Sequence, residues 1–230
     1  MKTYNTQKNQ ITRRSLLTVC ATALAMAFTV SLPRPSHADP VTPPPVPANI
    51  QVPAGNKVFL KGFAVGTQNY ICLPCPNLST PAAMCPAFGF AWAFIGPQAT
   101  LFDEDDKQVI THFLSPNPDE SGTPPRATWQ HSRDTSTVWG GQAISSSNPD
   151  FVAPGAIPWL RLEVVGEQSG PTDGDRLTRT TFIQRLNTSG GVAPLTGCVT
   201  DSDIGKKALV PYTTDYFFYE DADSGAGDSD

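Results

Sequence analysis

"IPWLRLEVV", residues 157–165, alternates without a break. Leu160, Leu162 and Val164 fall on one side, and Trp159, Arg161 and Glu163 on the other, which is the period of two that an extended strand imposes. The pattern spreads outward from there. In "RLTRTTFIQRLN", Phe182, Gln184 and Leu186 lie together, opposite Ile183 and Arg185. "FGFAWAFI" sets Phe88, Phe90, Trp92 and Phe94 against Gly89, Ala91, Ala93 and Ile95. "PYTTDYFFYE" has aromatics on both faces, as a strand packed on two sides would. Clusters of Pro, Gly, Ser, Asn and Asp separate these runs, and no long helical period follows residue 38. Many short strands with turn signals predict an all-β fold, an antiparallel β-sandwich or β-barrel with long loops.

Two of the turns invite a chemical reading. "DEDD", Asp103–Asp106, sits between "ATLF" and "KQVITHF". It lacks the spacing and the glycine of a calcium-binding loop, so it reads as a solvated hairpin turn and not as a metal site. Gly190 and Gly191 end the alternating stretch in "NTSGGVAP". No helical pattern follows them, and neither a P-loop lysine nor three spaced glycines is present, so a phosphate cradle is not expected. Their role is to supply positive φ in a turn.

The first 38 residues read as a leader. Lys2, Lys8, Arg13, Arg14 and Arg34 are joined by no acid, an apolar run spans Ser15 to Leu32, and "SHA" places small residues before Asp39. That layout predicts a cleaved signal peptide and an exported protein, periplasmic or extracellular, with no membrane span after cleavage. "TRRSLL" around the arginine pair points to the twin-arginine route. Removing five of the 16 basic residues leaves 11 against 21 acids, a net charge of −10. Such a surface repels nucleic acid, whose binding depends on Lys and Arg. Residues 39–55 read as a proline-rich linker and 220–230 as a disordered acidic tail, which leaves 56–219 as a single all-β domain.

With Cys20 in the leader, four cysteines remain: Cys72, Cys75, Cys85 and Cys198. An even count in an exported chain predicts two disulfides, and four cysteines allow three pairings. A redox role for "CLPC" lacks the helix that would activate it. A zinc site from Cys72, Cys75 and Cys85 with His112 or His131 lacks the second half of a zinc signature. No metal or cofactor is expected.

Catalytic candidates are few. His112 and His131 are the histidines outside the leader. Ser132, His131 and Asp134 are too close in sequence for a relay of triad type, and no GxSxG elbow exists. Glu163 and Asp215 could serve as a carboxylate pair only if the fold made them face each other. Gln184, an amide between apolar neighbours, needs partners and is expected to brace backbone, with a place in a pocket as the alternative.

Five motifs taken together carry a resemblance. "GTQNYIC", "ATLFDED", "IPWLRLE", "FIQRLNTSGGVAPLTGC" and "PYTTDYFFY", in that order, are similar to the family catalogued as domain of unknown function 3455. The resemblance covers roughly residues 57–219. It implies an exported protein with no established activity. Some fungal relatives carry a malate dehydrogenase label, but this chain has no dinucleotide fingerprint to go with it. The resemblance matches Cys72 and Cys198 to the family's "YxC" and "GC" positions, which favours them as one pair. Cys75 and Cys85 look like additions in a longer loop and would then pair with each other. "FLSPNPDESGTPPRATW" departs from the family's short segment between the histidine and the tryptophan.

The expected function is a binding or surface-interaction domain without intrinsic catalysis. Its polar and aromatic set would be Gln68, Tyr70, Trp129, Trp159, Gln184, Arg185 and Tyr216, residue types common in recognition surfaces. The partner would be an unidentified ligand or a component of the cell envelope, met by a monomer. The alternatives are an extracytoplasmic hydrolase using His112 or His131 with a carboxylate, and a structural component of the envelope.

Overall fold

The structure, a computed structural model, describes residues 41–75 and 89–225. Contacts divide the chain into Met1–Asp39 and Pro40–Asp230, and every described residue belongs to the second unit. The expected leader, Phe88, Cys85 and the end of the acidic tail lie outside the described residues.

Nine strands follow one another among the described residues: β1 (Asn56–Pro74), β2 (Phe90–Phe102), β3 (Gln108–Ser115), β4 (Arg126–His131), β5 (Thr137–Gly140), β6 (Ile144–Ser146), β7 (Trp159–Gln168), β8 (Phe182–Gly190) and β9 (Lys207–Asp221). Their order in the sheet is β5-β4-β3-β2-β1-β9-β8-β7-β6, and β5 also pairs with β7. That last pairing closes eight antiparallel strands into a barrel, and the short β6 pairs with the start of β7 on the same edge as β5. Of the two expected architectures the barrel is therefore the one formed. Closure satisfies backbone groups that an open sheet would leave at its edges.

The alternation seen in the sequence now has an inside and an outside. Ala64, Leu101, Ile110, Trp129, Val138, Leu162, Ile183 and Phe218, drawn from all eight barrel strands, form one buried cluster, the barrel interior. Residues of opposite parity on β7, β8 and β9 form a second cluster: Trp159, Leu186, Phe217 and Tyr219, together with Ile50 and Val152. It lies on the outer wall, which explains why β9 is aromatic on both faces.

A correction concerns residues 39–55. The proline-rich segment is not a free linker. From Val41 onward it forms a strap over the outer wall, with Val41, Val46 and Val52 packed against the second cluster and Ile50 fully buried in a 3-10 turn, Ala48–Ile50. Prolines favour an extended backbone that lies flat, and the intervening valines and Ile50 supply the apolar contact. Side chains of the barrel hold it by its carbonyls. Gln184 Nε2 donates to Ile50 O at 2.7 Å, Arg161 Nη1 donates to Gln51 O, and the strap's Asn49 donates to Ser145 O. At the other terminus β9 runs on to Asp221 and a 3-10 turn follows at Ala222–Gly225, so the start of the acidic tail is ordered.

The turns behave as their composition implies. Asp103 Oδ1 accepts from the backbone N–H groups of Asp105 and Lys107, closing the β2–β3 hairpin. Gly190 and Gly191 have φ of 69° and 83°. Cys72 and Cys198 form a disulfide that ties the end of β1 to the β8–β9 connection. It is the one disulfide among the described residues, where two were expected. The expected Cys75–Cys85 bridge involves Cys85, which lies outside them, and Cys75 is not a free thiol.

Candidate functional site

Inward residues near one end of the barrel surround a cavity of about 170 Å³. β1 contributes Gln68, β3 His112, β4 Trp129, β8 Arg185 and β9 Tyr216, and the remaining wall is apolar, with Phe94, Leu114, Leu160 and Leu162 prominent. Each side chain points inward because of its place in a period-two series: Gln68 follows Ala64, His112 follows Ile110, and Arg185 follows Ile183.

His112 lies parallel to Trp129, ring centres 4.3 Å apart, and edge-on to Tyr216 at 5.2 Å. Its Nδ1 is 2.8 Å from Thr128 O. A carbonyl can only accept, so Nδ1 carries the proton and Nε2 the lone pair. Burial pushes the ring's pKa down to about 3, outweighing the Thr128 bond, and the charge of Arg185 acts in the same direction. The imidazole is therefore neutral at any ordinary pH. Burial likewise raises the phenols of Tyr212, Tyr216 and Tyr70, so they too are uncharged.

Arg185 is then the one formal charge among the residues lining the cavity. Its Nη2 donates to Pro158 O at 2.9 Å. Its Nε is buried with no hydrogen-bond partner among the described residues, as are Gln68 Nε2, Trp129 Nε1 and the Tyr212 hydroxyl. Tyr212 lies close enough to Tyr216 and Gln68 to feel both, without a well-aligned bond. Buried polar groups are ordinarily paired, so this concentration around one cavity is a property of the site.

The glycine pair helps shape it. A Cβ on Gly191 would meet Gln68 Cγ, Ile157 Cγ2 and Tyr212 Cβ, each at 3.0 Å. Only glycine lets the β8–β9 connection press this closely on the wall that holds Gln68. Gly191 O accepts from the Tyr70 hydroxyl at 2.7 Å.

Of the seven expected binding residues, Gln68, Trp129, Arg185 and Tyr216 meet at the cavity. Tyr70 is their neighbour, held by Gly191 and edge-on to Phe94. Trp159 and Gln184 are elsewhere, in or beside the outer cluster beneath the strap. Gln184 does brace backbone, accepting from Tyr219 while donating to Ile50. Phe94, Leu114, Leu160 and Leu162 were not singled out from the sequence, because their alternation alone marks them only as core.

The other chemical candidates do not assemble. His131 Nδ1 is 2.8 Å from Asp134 Oδ1, but that carboxylate also accepts from the backbone N–H groups of Ser136 and Arg176 and from Ser136 Oγ. Burial alone would raise the Asp134 pKa, yet these donors bring it down to about 2. The pair fixes the β4–β5 turn, and Ser132 Oγ accepts from Gln108. Glu163 pairs with Phe182 and Asp215 with Leu186, four residues farther along β8, so the two acids do not face each other. Cys72 is committed to its disulfide, and no group of metal-ligating residues is gathered among the described residues.

Residues 53–220 match a family described as "protein of unknown function (DUF3455)". The chain belongs to this family. The match takes in every cavity residue and leaves Ile50, the anchor of the strap, outside. No curated protein and no solved structure matches the chain. No described helix is long and apolar enough to cross a membrane.

Proposed function

We propose that this member of the family is an exported binding barrel that holds a small, largely apolar molecule in the cavity at its mouth. The observation that carries the reading is the cavity itself: an aromatic and aliphatic wall in which three of the polar side chains, Gln68, Trp129 and Arg185, each have a buried N–H without a well-aligned partner. Ligand sites characteristically combine an apolar lining with a small number of convergent polar groups. An eight-stranded barrel is wide enough to hold one small ligand. Binding is favoured over hydrolysis because His112 is stacked, neutral and tied to Thr128, with no carboxylate in the lining to form a dyad.

Export is supported by the leader-like first 38 residues, with the arginine pair Arg13–Arg14 suited to the twin-arginine route. The Cys72–Cys198 bridge is of the kind that persists in oxidising compartments.

The test is an NMR titration of the Trp129 indole with indole, benzyl alcohol and benzoate. A saturable shift that is abolished by Ala127→Leu, which fills the cavity from its wall, is the expected result. No saturable shift with any of the three would refute the proposal.

A further inference from the structure

We infer that the molecule held at the mouth is a small monocarboxylate with an apolar body, its carboxylate received by Arg185 and Gln68. This inference rests on the binding reading above and specifies the ligand's chemistry.

The argument begins with charge. The barrel holds a buried charge far from its mouth, Glu220, which is 7% exposed. Two cations meet it: Arg179 Nε at 2.9 Å and Lys57 Nζ at 3.7 Å. Arg185 at the mouth has no such partner, since no acid within ion-pair distance faces it among the described residues. Its neighbours are a neutral imidazole and three neutral phenols. Arg185 is half-buried with its Nε out of contact with water, and a partly desolvated cation without an anion is stabilised when an anion arrives.

Donor geometry leads to the same chemistry. Pro158 O takes one guanidinium N–H, the Tyr216 hydroxyl lies within reach of the same guanidinium, and Nε is left without a well-aligned partner. Arginine's fork suits the two oxygens of a carboxylate. Gln68, 3% exposed, brings to the same cavity a second N–H with no well-aligned partner, Tyr212 being its neighbour. Size and lining set the rest of the molecule. A dry cavity of about 150 Å³ admits a benzene ring, and this one measures about 170 Å³. Its far wall of Leu114, Leu160 and Leu162 offers a ring or short alkyl chain nothing but contact.

The experiment compares isosteres by calorimetry on the full chain. Benzoate, benzamide and benzyl alcohol share a ring and differ in charge. Benzoate is expected to bind at least about tenfold more tightly than benzamide, the scale of a hydrogen bond to a charged group. Arg185→Met is expected to remove that preference while retaining benzyl alcohol. Equal affinities in the unaltered protein would overturn the carboxylate and leave the cavity reading standing. Failure of all three to bind would overturn both. Inorganic phosphate displacing benzoate at similar concentration would overturn the apolar body. The comparison among ligands needs no variant, so a poorly folding Arg185→Met does not blunt it.

Discussion

Replacing Gln184 with methionine should loosen the strap and lower stability by about 2–4 kcal/mol. Gln184 is 1% exposed, donates to the carbonyl of fully buried Ile50, and accepts from Tyr219. Methionine matches its length without its polar atoms, so the packing volume is largely kept. The Ile50 carbonyl then loses its partner, at a cost of about 1–3 kcal/mol for a buried group. Tyr219 is 7% exposed and its hydroxyl loses its acceptor, a bond worth about 1 kcal/mol. Urea titration gives the total, and amide exchange at Ile50 and Gln51 locates it. For a domain of this size the melting temperature should fall by about 2–4 °C per kcal/mol. Tyr219→Phe in the Gln184→Met background should cost less than it does in the unaltered protein, because the hydroxyl has already lost its acceptor. A loss below about 0.5 kcal/mol, with exchange at Ile50 unchanged, would refute the claim that Gln184 anchors the strap.

Acid should unfold the protein through His112 before it reaches Asp134. The folded pKa of His112 is about 3, below the unfolded value near 6.5, so the unfolded chain binds the extra proton as pH falls between the two and stability drops in that window. Asp134, lowered to about 2, takes stability away only as pH falls through about 4 toward 2. Denaturation midpoints measured from pH 7 to 4 should decline in the native protein and stay nearly flat in His112→Phe, and parallel slopes would contradict the assignment. Breaking the disulfide with Cys72→Ser and Cys198→Ser together should cost about 4–5 kcal/mol by the loop-entropy argument, since 126 residues separate the two cysteines. A melting temperature insensitive to both the substitution and to reductant would show that the connection is held by packing alone.

The strands were legible in the sequence because each carries its own alternation, and the parities at Ile157–Val165 and Phe182–Leu186 are those of the barrel. Which side was the inside was not. On β8 the strap covers the outer face, so Gln184 and Arg185 both sit among apolar neighbours and the usual contrast of wet and dry faces is lost. That is why the expected set mixed cavity residues with residues under the strap. Closure was illegible for a different reason. The β5–β7 and β1–β9 pairings join segments far apart in sequence, and no local pattern encodes them. The strap was misread because its prolines announce an extended chain, while the valines between them carry the information that it packs. Cys72 was readable from its motif. The role of His112 was not, since a histidine on an alternating strand looks the same whether it faces solvent or stacks on Trp129.

The pairing of β1 with β9 runs from Asn56↔Asp221 to Ile71↔Lys207 and makes the first strand the partner of the last. A chain that emerges from a ribosome in order thus meets its longest seam only at the end. Until Lys207–Asp221 arrives, β1 and β8 both present open edges to whatever is nearby. Contacts this distant in sequence also make folding slow. The barrel's assembly is thereby a post-synthetic event of the whole chain, and a transcript cut short before the last strand specifies an adhesive intermediate instead of a smaller domain.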